Sequence, residues 1–472
     1  MKLSFKTKLC YGIGNLGYGT IAQTFNNFIM FFGTSVLGVS GTLVGIAVAI
    51  STFWDGIADP VVGHFSDRHN SRHLGKRLGY MIFATFGMAL FNILLWIVPI
   101  DTSDLVKFLW LLVCLVALET FCTIFSTPYV ALGIDLAPDY NEQSKIQGFK
   151  TVFFILGMVM PSLLMILFMP EESTNFQAQF MQNGYISIAY FTSSLGLVCG
   201  ILCILGTLRS VQKANSLDCY KTKDKSEKGF FFKIFYTFFL TLKKKNFGCI
   251  IIGYSVALLS TAFLTSMGLH LFTYAYHFST NQIAFLMAGL FISAIASQPF
   301  WIYLSNRIDK KGSLRVSLVS ILFSIGLIAL TFAFRTYVEN VILFYLVLVC
   351  LVACGFGTGA LYSLPFSMYA DIITMEKSQT EENNSGIYSG FMTLAYNISN
   401  CIALLLIGIL LDLIKFNSSE PVQALSVQNW LGFIVFVGCF LSIFCALIIF
   451  SKYDLKRSDI LKKKLKYKKE NT

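Results

Sequence analysis

The chain has 472 residues, of which 55% are hydrophobic and 13% are charged, and its formal net charge at neutral pH is +11. A soluble domain of this length cannot bury so much apolar surface, so the composition excludes an ordinary water-soluble protein and indicates an integral membrane protein. We expect the basic run at 462–469 to face anionic lipid rather than nucleic acid.

Apolar stretches of about 20 residues, the length that crosses a bilayer, predict twelve transmembrane helices and an all-α fold. No cleavage site follows the first stretch, so we expect Met1 to begin a mature tail. The predicted helices are centred near Phe25, Phe53, Ala89, Val116, Met158, Gly196, Ala262, Gly289, Ile325, Leu351, Ser399 and Val437.

The distribution of basic residues predicts the orientation. Of the 36 lysines and arginines, only Lys107, Arg335 and Lys415 fall in loops that join an odd-numbered helix to the next even one. Because cytoplasmic loops carry the excess of positive charge, the opposite side is predicted to be the cytoplasm. We therefore expect a multi-pass plasma (inner) membrane protein with both termini cytoplasmic.

The predicted helices divide six and six around a lysine-rich stretch. We predict an N-terminal half at 1–208, a basic cytoplasmic linker at 209–246, a C-terminal half at 247–452 and a basic cytoplasmic tail at 453–472. Two motifs recur at nearly one spacing, since Arg307 follows Arg68 by 239 positions and Pro365 follows Pro128 by 237. Duplicated halves are typical of alternating-access carriers.

The same repeats predict a cytoplasmic gate. Asp67 can cap a helix start, while Arg68 and Arg307 can pair with acids on the opposite half and hold the inner face shut. Asp135 and Asp371, which follow the repeated prolines and lie 236 positions apart, complete this predicted gate. The alternative is that positive-inside topology alone explains the arginines.

Only three acidic residues fall clearly within the predicted helices: Asp55, Asp59 and Glu119. Asp55 and Asp59 are four residues apart and share one helix face. Two such carboxylates need a shared proton or a bridging cation such as Na⁺, so we predict a cation-coupling site. The alternative is a structural pair bonded to helix neighbours. Glu119 fits three roles: solute ligand, proton carrier, or an acid bonded to a polar helix.

Other polar and aromatic side chains are candidates for the solute site. Lys150 can reach a cavity from the start of the fifth helix or extend to the interface. The aromatic side chains that can stack on a sugar ring, or else fill lipid-facing surface, are Trp54, Tyr129, Tyr362 and Tyr396. We expect the twelve cysteines to serve packing, and we expect no enzyme activity because no nucleophile or metal cluster falls in the helices.

The motifs together resemble the glycoside-pentoside-hexuronide:cation symporters, the melibiose-permease-like branch of the major facilitator superfamily. The resemblance covers most of the chain and implies two pseudo-symmetric six-helix bundles, the major facilitator fold. It is carried by KLCYGIG at 8–14, WDGIADP at 54–60 leading into SDR at 66–68, PYVAL at 128–132 leading into PDY at 138–140, and the glycine-rich stretch at 355–365 leading into AD at 370–371.

By this resemblance Asp55 and Asp59 match the cation-binding aspartates, and Thr123 matches a threonine that lends an oxygen to the same site. They would be the metal ligands if Na⁺ is the coupling ion. Sodium-using relatives often have asparagine where this chain has Ala58. Losing that neutral oxygen ligand favours H⁺ over Na⁺.

The resemblance is weaker at the solute site. Acids of the melibiose-type pattern fall at Gly19 and Ser126, and a basic residue falls near Tyr396. Lys150 keeps the positive charge, and Tyr362 keeps an aromatic group. Glu119, two helical turns before Ser126, could supply the missing carboxylate.

We therefore expect a cation-coupled symporter of a sugar or glycoside that works by alternating access as a monomer, with no cofactor beyond H⁺ or Na⁺. Two alternatives stay open. The same fold could carry a lysolipid or another amphipathic metabolite, since the sugar-gripping acids are absent, or the protein could be a non-transporting sensor.

Overall fold

The computed structural model describes residues 3–68, 74–136, 140–169, 178–217, 238–380, 385–417, 420 and 422–455. Within these residues the regular elements are all helices, which confirms the predicted all-α class. Much of the predicted linker and most of the predicted tail lie outside the described residues.

The first six long helices follow the predicted centres. Helix α1 continues into a π-helical turn at Phe32–Val36, and a short 3₁₀ turn at Ala178–Phe180 precedes α6. The bounds are α1 Phe5–Phe31, α2 Gly41–Arg68, α3 Leu78–Trp96, α4 Asp104–Leu136, α5 Tyr140–Phe168 and α6 Gln182–Leu217.

The second half repeats this pattern with two interruptions. After a short helical segment at 238–243, α7 ends in a second π-helical turn at Leu271–Ala275. The bounds are α7 Lys245–His270, α8 Thr280–Ala296, α9 Gln298–Ile308, α10 Lys310–Ala333, α11 Asn340–Leu361, α12 Leu364–Thr380, α13 Ser385–Leu413 and α14 Leu425–Ser451.

Ten described segments are long and apolar enough to cross a membrane, and one of these joins α11 to α12. The pair α8 and α9, bent by 42°, makes an eleventh span. Pro299 at the start of α9 explains the break, because its ring cannot follow a helical turn without losing a hydrogen bond. Helix α1 has 27 residues and is more polar, with buried Asn15 and Asn27, and it completes the twelve predicted spans.

The chain clusters into two compact units. Unit 1 contains Met1–Asp224 together with Ser279–Phe285 and Leu404–Val427, and unit 2 contains the remainder. In unit 1, α1 packs against α5 and α6, while α4 packs against α2 and α3. In unit 2, α10 packs against α11, and α7 contacts α12.

Glycines on α1 allow the close packing of unit 1. A Cβ atom on Gly14 would lie 2.8 Å from the Cβ atom of Cys203, and one on Gly17 would lie 2.8 Å from that of Cys199. These cysteines are therefore packing residues on α6, and they are free thiols. The tight contact between α1 and α6 fixes the position of α1 beside the candidate site.

Candidate functional site

The two membrane aspartates are each bonded to a threonine of the neighbouring helix. Thr123 Oγ1 donates a hydrogen bond to Asp55 Oδ1 at 2.5 Å, and Thr127 Oγ1 donates to Asp59 Oδ1 at 2.8 Å. The two aspartates are four residues apart on α2, and the two threonines are four residues apart on α4. Each pair therefore shares one helix face, and the two faces meet. All four groups lie in unit 1, and both aspartates stay partly accessible.

A third bond continues this row of contacts between α2 and α4. Trp54 Nε1 donates to Thr120 Oγ1 at 2.8 Å, and Thr120 Oγ1 in turn donates to the carbonyl oxygen of Val116 at 2.6 Å. The Trp54 side chain is 42% exposed. Trp54 therefore holds its indole N–H on α4 while part of its side chain stays exposed.

Pro60 adds a backbone feature to the same site. It lies inside α2 directly after Asp59. A proline within a helix removes the hydrogen bond to the carbonyl group four residues earlier, here Gly56. The site contains two carboxylates and two hydroxyl groups, and the Gly56 carbonyl group, next to Asp55 in the chain, lacks its usual helical donor. All of these are oxygen ligands that hard cations prefer.

Glu119 belongs to the same electrostatic cluster. Its partly buried carboxyl group interacts electrostatically with Asp55 and Asp59, and Tyr18 of α1 interacts with all three acids. Neighbouring negative charges repel each other more strongly in a medium of low polarity than in water. A bound cation or proton would therefore stabilise this cluster of carboxyl groups. Among the residues that the structure describes, no group of three His, Cys, Asp or Glu side chains has metal-binding geometry. Any Na⁺ site would therefore depend on hydroxyl and carbonyl oxygens as well.

Lys150 lies near a stacked pair of tyrosines. Tyr11 and Tyr129 stack with ring centroids 4.4 Å apart, and each hydroxyl donates to the other residue's carbonyl oxygen. The Lys150 ammonium lies 6.0 Å from the Tyr129 ring centroid. Tyr129 is buried in this pair, so stacking of a solute on its ring is excluded in this arrangement. Lys150 itself is half-buried in unit 1.

The remaining predicted solute residues divide between the units. Ser126 is half-buried on α4, three residues after Thr123 in unit 1. Tyr362 and Tyr396 lie in unit 2, where they interact electrostatically with each other. Tyr362 is 38% exposed, at the end of α11.

Unit 2 contains an apolar cavity, whose space is about 610 Å³ when the solvent open at its mouth is counted with it. Tyr362 lies on its wall, and hydroxyl groups are its only other non-sulfur polar side chains. The residues that line it are Ser260, Thr261, Leu264, Thr265, Leu290, Phe291, Ala294, Ile321, Ile325, Ile328, Cys354, Thr358, Tyr362, Val435, Phe436 and Cys439. Such a wall suits hydrocarbon far better than the many hydroxyl groups of a sugar.

The candidate gate aspartates have basic partners within their own units. Arg77 Nε lies 3.3 Å from Asp135 Oδ2, and Lys310 Nζ lies 2.5 Å from Asp371 Oδ2. Arg77 also donates to Ser66 Oγ at 2.8 Å. The two aspartates occupy repeated positions 236 residues apart, whereas their basic partners are 233 residues apart and are not strictly equivalent. Each basic partner nevertheless lies at the start of the third predicted span of its half.

The predicted arginines are placed differently. Arg307 lies with its guanidinium 4.8 Å from the Tyr303 ring centroid. The side chains of Asp67 and Arg68 lie outside the described residues, so their gate role stays a prediction. Sequence reasoning missed Arg77 and Lys310 as partners, although both stand beside the repeated motifs.

A helical membrane bundle with paired membrane carboxylates and internal duplication defines the class of secondary transporters. Residues 10–457 match the family model described as MFS/sugar transport protein, and the chain belongs to this family of the major facilitator superfamily. The predicted twelve-helix major facilitator fold is thereby confirmed. A solved D-xylose–proton symporter has the same fold, with a TM-score of 0.62 and 12% identity over 94% of this chain and 97% of that one.

Curated relatives span nearly the whole chain. The sodium-dependent lysophosphatidylcholine symporter 1 of Xenopus tropicalis is 23% identical over 96% of this chain and 88% of that protein. The sphingosine-1-phosphate transporter MFSD2B of the same species is also 23% identical, over 96% of this chain and 89% of that protein. Both names describe carriers of single-chain lipids.

Proposed function

We propose that this protein is a cation-coupled symporter of an amphipathic solute with one hydrocarbon chain, of the lysolipid class. The proposal depends on the apolar cavity of unit 2. Moving a hydrocarbon chain from water to such an apolar wall lowers the free energy. The names of the relatives support the same cargo. The protein acts as a carrier without enzyme activity and needs no cofactor beyond its ion.

Unit 1, considered by itself, contains groups whose chemistry suits the polar head of a lysolipid. A lysophospholipid headgroup carries a phosphate and, in the choline form, a quaternary ammonium. Lys150 supplies a positive charge for the phosphate, and Glu119 with the exposed Trp54 ring supplies negative charge and an aromatic face for the ammonium. Ser126, half-buried on α4 seven residues after Glu119, adds a hydroxyl group.

We propose Na⁺ as the coupling ion, against the preference for H⁺ that Ala58 suggests. The Thr123 and Thr127 hydroxyl groups and the Gly56 carbonyl group supply neutral oxygens that replace an asparagine amide. The cation neutralises Asp55 and Asp59, raises the affinity for the solute, and favours the loaded carrier during reorientation. Both termini are cytoplasmic in this proposal, and the protein acts as a monomer in the plasma membrane.

Uptake into proteoliposomes tests the cargo and the ion together. We expect an inward Na⁺ gradient to drive accumulation of radiolabelled lysophosphatidylcholine, while an equal pH gradient does not. Melibiose at millimolar concentration should not compete. Transport of melibiose with no effect of lysophosphatidylcholine would overturn the lipid assignment, and accumulation driven by pH alone would overturn the sodium assignment.

A variant that fills the apolar cavity of unit 2 tests whether the solute passes through it. Ala294 lines the cavity, and Ala294→Phe adds a ring to it. We expect at least a tenfold loss of lysolipid uptake, whereas Val349→Phe, at a 67% exposed position on α11, should leave uptake near wild type. Equal uptake by the two variants would remove the cavity from the transport route.

The second candidate function is cation-coupled symport of a sugar, by a carrier similar to melibiose permease. The family description and the motifs around Asp55 and Asp59 favour it. Tyr362, partly exposed in unit 2, offers a ring on which a sugar could stack. In the same uptake assay this candidate requires competition by glycosides.

A further inference from the structure

The N-terminus of α2 is bonded to a carboxylate from the end of α13. Gly41 N donates to Asp412 Oδ1 at 2.7 Å, and Thr42 N donates to Asp412 Oδ2 at 2.8 Å. The first amide groups of a helix have no partner within that helix, and a negative charge there is favoured by the helix dipole. Asp412 therefore caps a helix that lies 371 positions earlier in the chain.

Glycines form the contact surface directly beside this cap. A Cβ atom on Gly41 would lie 2.6 Å from the carbonyl oxygen of Gly408, and one on Gly45 would lie 3.1 Å from the Cα atom of Gly408. A Cβ atom on Gly408 would lie 3.0 Å from the Cα atom of Gly45. Only residues without side chains let the two helix backbones approach so closely.

A second contact joins the same end of unit 1 to the start of α8. Thr280 Oγ1 donates to Gln179 Oε1 at 2.5 Å, and both side chains are buried. Thr280 and Asp412 belong to segments of the second half of the sequence that cluster with unit 1. Two separate segments are thus held at this end.

Alternating access requires the helices of the two sequence halves to separate at one end and then at the other. We infer that Asp412, seated on Gly41 and Thr42 beside the glycine contact, is a latch that holds the end of the bundle opposite the chain termini closed, and that it opens once in each transport cycle. This inference goes beyond the proposed cargo and is independent of it.

The interaction of Asp412 with the N-terminus of α2 is weak enough to break and re-form in each cycle. Asp412 is exposed, so its charge is screened by water and salt. Loss of a helix cap changes an equilibrium by roughly fivefold, which biases a conformational exchange without preventing it. A buried ion pair at this place would resist opening far more strongly.

The test measures access to unit 2 without any solute. A reporter cysteine replaces Thr265, which lines the apolar cavity, and a membrane-impermeant maleimide is applied separately to each face of the membrane. Asp412→Asn removes the charge of the cap, and Gly408→Ala forces the helix backbones apart. For each variant we expect roughly a fivefold faster labelling from the extracellular face and slower labelling from the other face.

Two matched variants control for charge and for helix composition. Asp101→Asn removes an exposed acid from a predicted outward loop without touching the cap, and Gly326→Ala adds a methyl group where no atom lies within 4 Å. Variants without the reporter give the background from native cysteines. Labelling of Asp412→Asn at the rate of Asp101→Asn would overturn the latch, and this comparison decides the question even if Gly408→Ala fails to fold.

Discussion

At the scale of single residues, the aspartate pair depends on hydroxyl donors that lie outside the sequence motif. Asp55 and Asp59 stand in one short motif, but Thr123 and Thr127 lie 68 positions further along the chain. A hydroxyl that donates to a carboxylate stabilises the ionised form and leaves its own lone pairs for a cation. The threonines therefore position the carboxylates and extend the set of oxygen ligands.

Replacement of these threonines tests that role. Thr123→Val and Thr127→Val each remove one hydrogen bond to a charged group, worth about 1.5–3 kcal/mol, so we expect the apparent cation affinity to fall roughly tenfold or more. Thr127→Ser should restore it. The measurement is the cation dependence of uptake or of thermal stability.

Thr120→Val is the matched control. It removes a hydroxyl group from the same face of α4, and this hydroxyl group accepts a hydrogen bond from Trp54 instead of donating one to an acid. If Thr120→Val weakens cation binding as much as Thr127→Val does, the threonines act through general packing of α2 on α4.

A second prediction at this scale concerns Glu142 near the start of α5. Its carboxylate binds Lys8 at 2.6 Å and Lys145 at 3.0 Å. Hydrogen bonds from Lys8, and then from Lys145, lower the pKa of the Glu142 carboxyl group from 4.5 to about 2. A lowered pKa in the folded state stabilises the protein above pH 4.5, and this contribution disappears as the pH falls from 4.5 toward 2.

We expect the thermal unfolding midpoint of Glu142→Gln to be below that of wild type at pH 6 and to approach it near pH 3. Glu339→Gln, which changes an exposed acid, should follow the wild-type pH profile. Parallel profiles for wild type and Glu142→Gln between pH 6 and pH 3 would contradict the assignment.

At the scale of helices, glycine positions decide which pairs approach closely. Gly359 of α11 faces α8, and a Cβ atom there would lie 2.5 Å from the carbonyl oxygen of Ala294. Gly326 of α10 has open space around it. The two positions have the same residue type in the sequence and different packing in the fold.

These glycines give a paired stability prediction. Gly359→Ala should destabilise the purified protein by about 1–3 kcal/mol through overpacking, whereas Gly326→Ala should stabilise it by up to about 1 kcal/mol through the higher helix propensity of alanine. Thermal unfolding in detergent measures both. A neutral Gly359→Ala variant would show that α8 and α11 can separate without loss.

At the scale of the whole molecule, the proposed coupling connects cation binding at Asp55 and Asp59 to net movement of solute. Asp55→Asn and Asp59→Asn remove the charge that a cation neutralises, so we expect accumulation to disappear while some exchange of solute across the membrane continues. Parallel uptake and exchange measurements in proteoliposomes distinguish the two processes. A variant that still concentrates solute fully would exclude its aspartate from coupling.

The sequence by itself determined the multi-pass membrane class and the helix count, and it predicted a cation site at Asp55 and Asp59. Hydrophobic length fixes the number of spans because lipid admits only helices of sufficient length, and the helical period places Asp55 and Asp59 on one face. The repeated motifs also indicated two similar halves before any contact was known.

Only the tertiary structure decided which residues complete these sites. Thr127 meets Asp59, Arg77 meets Asp135, and Asp412 meets Gly41 across long stretches of chain. The apolar cavity likewise is lined by residues from five helices, α7, α8, α10, α11 and α14. Such pairings depend on the packing angles and close approaches of helices, which periodicity along one helix does not specify.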